Sequence, residues 1–243
     1  MQKNHSSIKL FTNKINLINL SIGLAISLFI NAVQSQNITA FSASALLTPS
    51  TEVERFAHWQ SPADETIKDC DGNIYHTVKI GTQVWLLENL KTTKYRDCTP
   101  ISNVKNDAAW GQLISGGYCD YKNVEKNAAT YGRLYNWYVI GDKRGIAPEG
   151  WHVPSNAEFK TLVEFLGGQS VAGGKLKEAG FTHWPLPNKD ASTTSGFTGL
   201  PGGDRAKSGS FYALGEYGYL WTSTESVKNS AFNRHLLLYS GAF

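Results

Sequence analysis

The sequence predicts a globular domain that combines helix and strand and is rich in loops. Three observations lead to this expectation. A helix-start motif precedes an apolar stripe at helical spacing near residue 155, and a stretch near residue 75 alternates apolar and polar positions. The 243 residues include 23 glycines and 12% aromatic residues, and 41% are hydrophobic. That composition suits one domain with a sizeable core and is atypical of a helical bundle.

The N-terminus has the pattern of a secretory signal peptide. An apolar run over residues 20–30 follows a polar and basic start. Val33 and Ser35 are tolerated at positions −3 and −1, which predicts cleavage before Gln36. An uncleaved anchor over residues 15–33 is the alternative, but asparagines interrupt it, and a span needs about 20 mostly apolar residues. We therefore expect a signal peptide at 1–35 and a secreted or cell-surface protein with no membrane span after its removal.

The net charge excludes one class of partner. The chain has 23 Lys and Arg against 20 Asp and Glu, and residues 1–35 contain three of the lysines and no acid. The rest of the chain is therefore neutral, with 20 residues of each sign. A neutral protein lacks the positive field that attracts nucleic acids, so we expect no nucleic-acid partner. Residues 36–68 show little periodicity and are predicted to be a linker or loosely packed arm before the domain at 69–243.

The domain is predicted to begin with a turn and a hairpin. Residues 69–73, Asp-Cys-Asp-Gly-Asn, favour a turn; a calcium loop is the alternative, although the distant glutamate of an EF-hand loop is missing. Alternation over 74–80 predicts a strand. Its apolar face would consist of Ile74, His76, Val78 and Ile80. Gly81 and Thr82 would connect it to a second strand at 83–87.

Two helices follow from apolar spacing. An aromatic stripe predicts a helix over 131–138 whose rings belong to the core, formed by Tyr131, Leu134, Tyr135 and Tyr138. A second helix is predicted over 156–166. Ser155 and Glu158 form the capping-box pattern before it, and two glycines end it. Its stripe is Phe159, Leu162, Val163 and Leu166.

Trp151 and His152, just before the second helix, are interpreted as a core anchor beside an incidental histidine. A ligand or acid–base role for His152 is the alternative, but no second ligand stands at metal spacing nearby.

The second half of the domain contains the candidate ligand-binding residue. Residues 183–210 are rich in Pro, Ser, Thr, Gly and Asp, which predicts a long loop. Trp184 precedes Pro185, which could hold the ring outward as a stacking platform for sugars; a ring folded under the loop is the alternative. Asp204 and Arg205 are expected to form a structural ion pair or to be exposed. His235 is expected to stand alone.

The sequence predicts no catalytic residue. It contains no Gly-x-Ser-x-Gly elbow, P-loop or His-Glu-x-x-His motif. The three cysteines are Cys70, Cys98 and Cys119, and in an exported protein one pair is expected to be oxidised, in any of three connectivities.

A series of short motifs connects the chain to a known family. In order they are Asp71-Gly72-Asn73, Ile80-Gly81-Thr82-Gln83-Val84-Trp85, Glu88-Asn89-Leu90, Tyr131-Gly132-x-Leu134-Tyr135-Asn136-Trp137, Pro148-x-Gly150-Trp151-His152-Val153-Pro154-Ser155, Leu166-Gly167-Gly168, Ala172-Gly173-Gly174-Lys175-Leu176-Lys177, Ser195-Gly196-Phe197 and Leu200-Pro201-Gly202-Gly203. The series resembles the Fibrobacter succinogenes major paralogous domain, from about residue 69 to the C-terminus. This family is bacterial, mostly exported and of unknown molecular function.

The resemblance implies an α+β, C-type-lectin-like domain of the group that includes formylglycine-generating enzymes. Two helices would pack on short antiparallel strands beside a long irregular loop. The final strand of the family is expected to be missing, which would leave a sheet edge unpaired. Calcium-dependent sugar binding is not expected, because Leu186-Pro187-Asn188 lacks a side-chain oxygen at its first position. Formylglycine-generating enzymes use cysteines late in the domain. No cysteine follows Cys119 here, which argues against that activity. No cofactor is expected.

These observations lead to two functional hypotheses. The first is a non-catalytic binding module at the cell surface or outside the cell, with a glycan as its ligand. The second is a structural or interaction domain with another surface protein as its partner, joined by strand addition. An enzyme is the least favoured class.

Overall fold

The structure is a computed structural model that describes residues 13–15, 67–227 and 230–243. The expected signal peptide and the expected arm therefore lie outside the described residues, apart from 13–15 and 67–68. One compact unit takes in residues 1–14 and 62–243. A second unit spans residues 15–61, of which the structure describes Ile15.

The described residues form a mixed arrangement of five α-helices and several small sheets. The helices are α1 (Asp107–Gln112), α2 (Glu125–Tyr131), α3 (Trp137–Ile140), α4 (Asn156–Phe165) and α5 (Gln169–Leu176). The strands are β1 (Asn13–Ile15), β2 (Ile67–Lys68), β3 (Ile74–Tyr75), β4 (Thr77–Ile80), β5 (Gln83–Leu86), β6 (Ser102–Asn103), β7 (Gly117–Cys119), β8 (Leu134–Tyr135), β9 (Gly202–Arg205), β10 (Phe211–Leu214), β11 (Tyr217–Val227) and β12 (Ser230–Leu237). The strand orders are β1-β5-β4, β2-β3, β6-β7-β8 and β10-β9-β11-β12. The predicted combination of helix and strand is confirmed and is compatible with an α+β fold.

The first hairpin forms where it was predicted, but its first strand is broken. β4 pairs antiparallel with β5, and Ile80 lies opposite Gln83 across the two-residue connection. The break falls at His76, whose backbone N–H donates to the Glu88 carboxylate at 2.7 Å. The predicted apolar face is wrong at its start, because Ile74 is 46% exposed while Tyr75 is fully buried. The Tyr75 hydroxyl donates to Asp69 at 2.6 Å, which gives this buried ring a polar partner.

The helix predicted over residues 131–138 is wrong. α2 ends at Tyr131, because Gly132 adopts a left-handed conformation with φ of 77°. Leu134 and Tyr135 then pair as β8 with β7. A new helix, α3, begins after Asn136, whose side chain accepts a hydrogen bond from the Val139 N–H. The glycine ends one helix and the asparagine caps the next. The aromatic residues with helical spacing therefore lie in two helices and in the strand between them.

The capped helix α4 is confirmed. The Ser155 hydroxyl accepts from the Glu158 N–H at 3.2 Å, and the Glu158 carboxylate accepts from the Ser155 N–H at 2.7 Å. Phe159 and Leu162 are fully buried on its inner face. His152 Nε2 lies 2.8 Å from Glu158 Oε1, so this histidine is paired with the cap.

The last residues of the chain pack against α5 and α4. The Gly174 N–H donates to the Gly241 carbonyl at 2.9 Å, and the Phe243 N–H donates to the Gln169 carbonyl at 2.9 Å. The Phe243 ring lies 5.7 Å from that of Phe159. β12 is the outermost described strand on its side of the four-stranded sheet, and α5 contacts it.

One of the three possible cysteine pairings is present. Cys70 and Cys98 form a disulfide, and Cys119 is free and buried. Burial raises the pKa of the Cys119 thiol to about 12, so this thiol stays protonated and unreactive at neutral pH.

Candidate functional site

Trp184 lies in the core and does not form a stacking platform. The side chain is 0% exposed, and its indole Nε1 donates to the Gly199 carbonyl at 2.9 Å. It belongs to the apolar cluster that also contains Phe197 and residues of α4 and α5. The alternative of a ring folded under the loop is the one that the structure shows, so the expected outward ring is corrected.

The acidic turn at 69–73 uses its oxygens within the protein. Asp69 accepts hydrogen bonds from the backbone N–H groups of Asp71 and Asn73, each at 2.9 Å. Asp71 accepts from Thr93 and pairs with Lys94 at 3.2 Å. Over the described ranges, no group of three or more His, Cys, Asp or Glu residues is placed to hold a metal ion.

A cleft of about 230 Å³ lies where three distant segments meet. The segments are residues 87–91 after β5, residues 129–132 at the end of α2, and parts of the loop between 178 and 200. We call it the Glu88–Glu178 cleft. Its polar lining residues are Glu88, Asn89, Lys91, Thr130, Glu178 and Thr198.

A close backbone approach holds two walls of the Glu88–Glu178 cleft together. A Cβ atom on Gly132 would lie 2.5 Å from the Asn89 Cβ, so no larger residue fits there without movement. The Asn89 amide donates to the Tyr131 carbonyl at 2.8 Å, and the Arg133 N–H donates to the Leu90 carbonyl at 3.0 Å. The end of α2 is therefore bound to the segment after β5.

One polar atom at the wall of the cleft lacks a partner. Asn89 is 6% exposed, and its Oδ1 atom accepts no hydrogen bond from any described residue. A buried acceptor left without a donor costs about 1–3 kcal/mol. An oxygen in this state favours a ligand that brings an O–H or N–H donor.

Two histidine–glutamate pairs flank the same cleft. Glu88 Oε1 lies 2.6 Å from His76 Nδ1, and Glu178 Oε1 lies 2.9 Å from His183 Nδ1. The His183 ring also meets the Tyr131 ring edge-on at 5.8 Å. Burial raises the pKa of the Tyr131 hydroxyl, and the charge of Glu178 raises it further. The pairs orient both carboxylates, and each carboxylate keeps lone pairs that can accept further hydrogen bonds.

Reasoning from the sequence did not find this cleft. Its lining residues are separated by up to about a hundred positions, and no local pattern joins them. A partial signal was present, because Glu88-Asn89-Leu90, Tyr131-Gly132 and Leu200-Pro201 are among the motifs that indicated the family. These motifs contribute residues to the lining of the cleft or to the hydrogen bond that joins two of its walls.

The fold and the cleft define a mixed α/β domain with a cleft lined by polar and apolar residues. The family model described as the Fibrobacter succinogenes major domain matches residues 78–241, which is more than half of the chain. The chain therefore belongs to this family, and the resemblance of its motifs is confirmed. Comparisons with curated proteins and with solved structures found no match. Within the part of the chain that the structure describes, no helix has the length and apolar character that a membrane span requires.

Proposed function

We propose that this chain is an exported, non-catalytic binding module that holds a glycan in the Glu88–Glu178 cleft. The signal-peptide pattern of residues 1–35 supports action outside the cell or at its surface. The family resemblance supports a C-type-lectin-like fold as part of the same proposal.

The observation that carries the glycan assignment is the set of hydrogen-bond acceptors on Glu88, Asn89 and Glu178. Asn89 Oδ1 lacks a donor, and the carboxylates of Glu88 and Glu178 accept but cannot donate when ionised. A sugar carries several hydroxyl donors in fixed directions, which suits acceptors supplied by different segments of the cleft lining. Thr130 and Thr198 are exposed at the rim and supply hydroxyls that can donate or accept.

The experiment is a glycan array, together with pull-down on insoluble polysaccharides, using the chain without residues 1–35. We expect saturable binding that Thr130→Arg abolishes, because a long charged side chain at this exposed position fills the cleft. Glu178→Gln should weaken binding about tenfold or more, since hydrogen bonds to a charged group contribute about 1.5–3 kcal/mol. Turnover of ester and glycoside substrates, measured in parallel, should stay at background.

Thr161→Arg is the matched control, because Thr161 is also an exposed threonine on a helix and does not line this cleft. It should bind glycans like the unmodified chain. Absence of glycan binding by a folded protein would refute the glycan proposal. Turnover that Glu178→Gln abolishes would refute the non-catalytic assignment.

A protein partner is the second candidate function, and a separate surface favours it. Phe165, at the end of α4, is 64% exposed although its ring lies over Gly81. Together with Ile80 and Thr161 it lines an open groove of about 440 Å³. An exposed aromatic ring beside a groove is typical of a protein contact. Phe165→Ser should abolish capture of such a partner and leave glycan binding unchanged.

A further inference from the structure

A row of side chains crosses the four-stranded sheet on one face. Tyr212 of β10 lies opposite Asp204 of β9 in the antiparallel register. Gly203 pairs with Gly218 in the parallel register, which makes Tyr219 of β11 the neighbour of Asp204 on its other side. Tyr219 in turn lies opposite His235 of β12. Paired residues of neighbouring strands share a face, and we call these four residues the Asp204 row.

The Asp204 row is aromatic on both sides of its carboxylate. Tyr212 is 54% exposed, whereas Tyr219 and His235 are half-buried. The His235 ring meets the Tyr219 ring at 4.8 Å, and Tyr217 meets Tyr219 at 5.7 Å. The expectation that His235 stands alone is therefore wrong, because strand pairing brings it against an aromatic neighbour.

The carboxylate of Asp204 has no partner among the described residues. The residue is 9% exposed, and no hydrogen bond or ion pair joins its side chain to the described part of the chain. Arg205, its neighbour in sequence, is fully buried and pairs instead with Asp107 at 2.7 Å. The expected ion pair between Asp204 and Arg205 is therefore wrong, and neither residue is exposed.

The pKa shifts of Asp204 and Tyr219 agree with a buried carboxylate that has no cation beside it in the described part of the chain. Burial raises the pKa of the Asp204 carboxyl to about 6, and no neighbouring cation opposes that shift. Burial, and then the charge of Asp204, also raises the pKa of the Tyr219 hydroxyl. A carboxylate buried without a partner is costly, and a cation beside it removes that cost.

We propose that the Asp204 row binds an organic ammonium group. The positive charge lies against the Asp204 carboxylate, and the carbon atoms next to the nitrogen lie against the rings of Tyr212 and Tyr219. A cation is attracted by its charge both to a carboxylate and to the faces of aromatic rings, whereas a neutral ligand lacks this ionic attraction. The ammonium group belongs to an amino sugar or to a lysine side chain. This site is separate from the Glu88–Glu178 cleft and does not depend on the function proposed for it.

The test is a titration of the chain with glucosamine, followed by NMR at pH 7.5, where Asp204 is ionised. N-acetylglucosamine is the matched control ligand, because acetylation removes the positive charge and keeps the sugar ring. We expect glucosamine to shift the ring signals of Tyr219 and His235 in a saturable way, and N-acetylglucosamine to leave them unchanged.

Two variants test the contributions of the carboxylate and the rings. Asp204→Asn keeps the shape of the side chain and should weaken glucosamine binding more than tenfold. Tyr212→Ala removes one exposed ring and should weaken it about two- to fivefold, as expected for a cation–π contact at an exposed site. Asp97→Asn, which neutralises an exposed carboxylate away from this sheet, should bind like the unmodified chain. If Asp204→Asn fails to fold, the Tyr212→Ala result decides.

The remaining comparisons identify the source of the ammonium group. Tighter binding of glucosamine than of Nα-acetyl-lysine amide supports an amino sugar, and the reverse order supports a peptide; both agree with an ammonium site. Equal binding of glucosamine and N-acetylglucosamine, or unchanged binding by Asp204→Asn, overturns the proposal. Loss of the glucosamine response in Thr130→Arg also overturns it, because the site would then be the cleft.

Discussion

Two consecutive helices, α4 and α5, are stabilised in different ways. α4 satisfies its own N-terminus through Ser155 and Glu158 and buries one apolar stripe. α5 begins after Gly168, which offers no side-chain cap, and contains Gly173 and Gly174 in its interior. Glycine disfavours a helix interior by about 1 kcal/mol relative to alanine, so the local sequence of α5 gives weak support to a helix.

Contacts with neighbouring segments stabilise α5, whose own residues give weak support to a helix. A Cβ atom on Gly173 would lie 2.1 Å from the Ala242 carbonyl oxygen, so the glycine permits the C-terminal segment to lie against the helix. Lys177, just after α5, is fully buried. Its Nζ donates to the carbonyls of Lys189, Leu237 and Ser240 at 2.7, 2.8 and 3.1 Å. The comparison shows that a helix with weak local preference forms where neighbouring segments pack tightly around it.

The largest expected effect concerns the loop that covers α5. Trp184→Ala should lower the free energy of unfolding by about 3–5 kcal/mol, because it removes a fully buried ring from the cluster shared with α5. Chemical denaturation measures the effect. Trp184→Phe keeps most of the buried area but loses the hydrogen bond to Gly199, and should cost less. An unchanged midpoint for Trp184→Ala would mean that the ring is exposed in solution.

The next effect tests the close approach within α5 directly. Gly173→Ala should destabilise the protein by about 2–3 kcal/mol, although alanine favours a helix, since the new methyl group would clash with the Ala242 carbonyl. Gly141→Ala is the control, because the nearest atoms to its Cβ lie at 3.7 Å. It should change stability by less than about 0.5 kcal/mol. Stabilisation by Gly173→Ala would contradict the packing of the C-terminal segment.

Lys177 makes the stability around α5 dependent on pH. Burial lowers its pKa from 10.5 to about 8, and the charge of Asp190 opposes this shift. Between these values the unfolded chain binds more protons than the folded protein, so this lysine adds stability as the pH rises above 8. Relative to Lys177→Met, the unmodified chain should gain on the order of 1–2 kcal/mol between pH 8 and 10. A parallel pH dependence in both proteins would refute the lowered pKa.

The smallest expected effect concerns the cap of α4. Ser155→Ala should lower the free energy of unfolding by about 1 kcal/mol without changing the fold, because one helix N–H group loses its acceptor. Ser155→Asp retains an acceptor at this position and should lose less. Thermal melts of the two variants provide the measurement, and an unshifted melt for Ser155→Ala would remove the cap as a source of stability.

Local patterns explain what was predicted correctly in the fold. The cap and stripe of α4 and the hairpin of β4 and β5 depend on residues within a few positions of one another, and both are confirmed. The helix expected over 131–138 failed because Gly132 and Asn136 act as helix boundaries within an aromatic pattern that has helical spacing. α5 was not predicted, because its glycines favour a turn in the absence of their neighbours.

The sequence predicts less of the candidate sites than of the fold. A tryptophan on a loop suits sugar stacking when its ring is exposed, but burial in the core is favourable as well, and Trp184 is buried. The Glu88–Glu178 cleft forms from three segments distant in the sequence, two of which meet at the contact of Gly132 with Asn89. The Asp204 row depends on the register of four strands, and a shift of one residue would turn its side chains to the other face.

The sequence by itself determined the family, the capped helix, the first hairpin and the expectation of export, since these depend on motifs and on contacts between near neighbours. Only the tertiary structure decided which cysteines pair, where Trp184 lies, why α5 is a helix and which polar groups meet in the cleft and in the Asp204 row. The physical reason is the range of the interactions. Hydrogen bonds of caps and turns join residues within a few positions of one another, whereas packing and strand register join residues from separate elements of the chain.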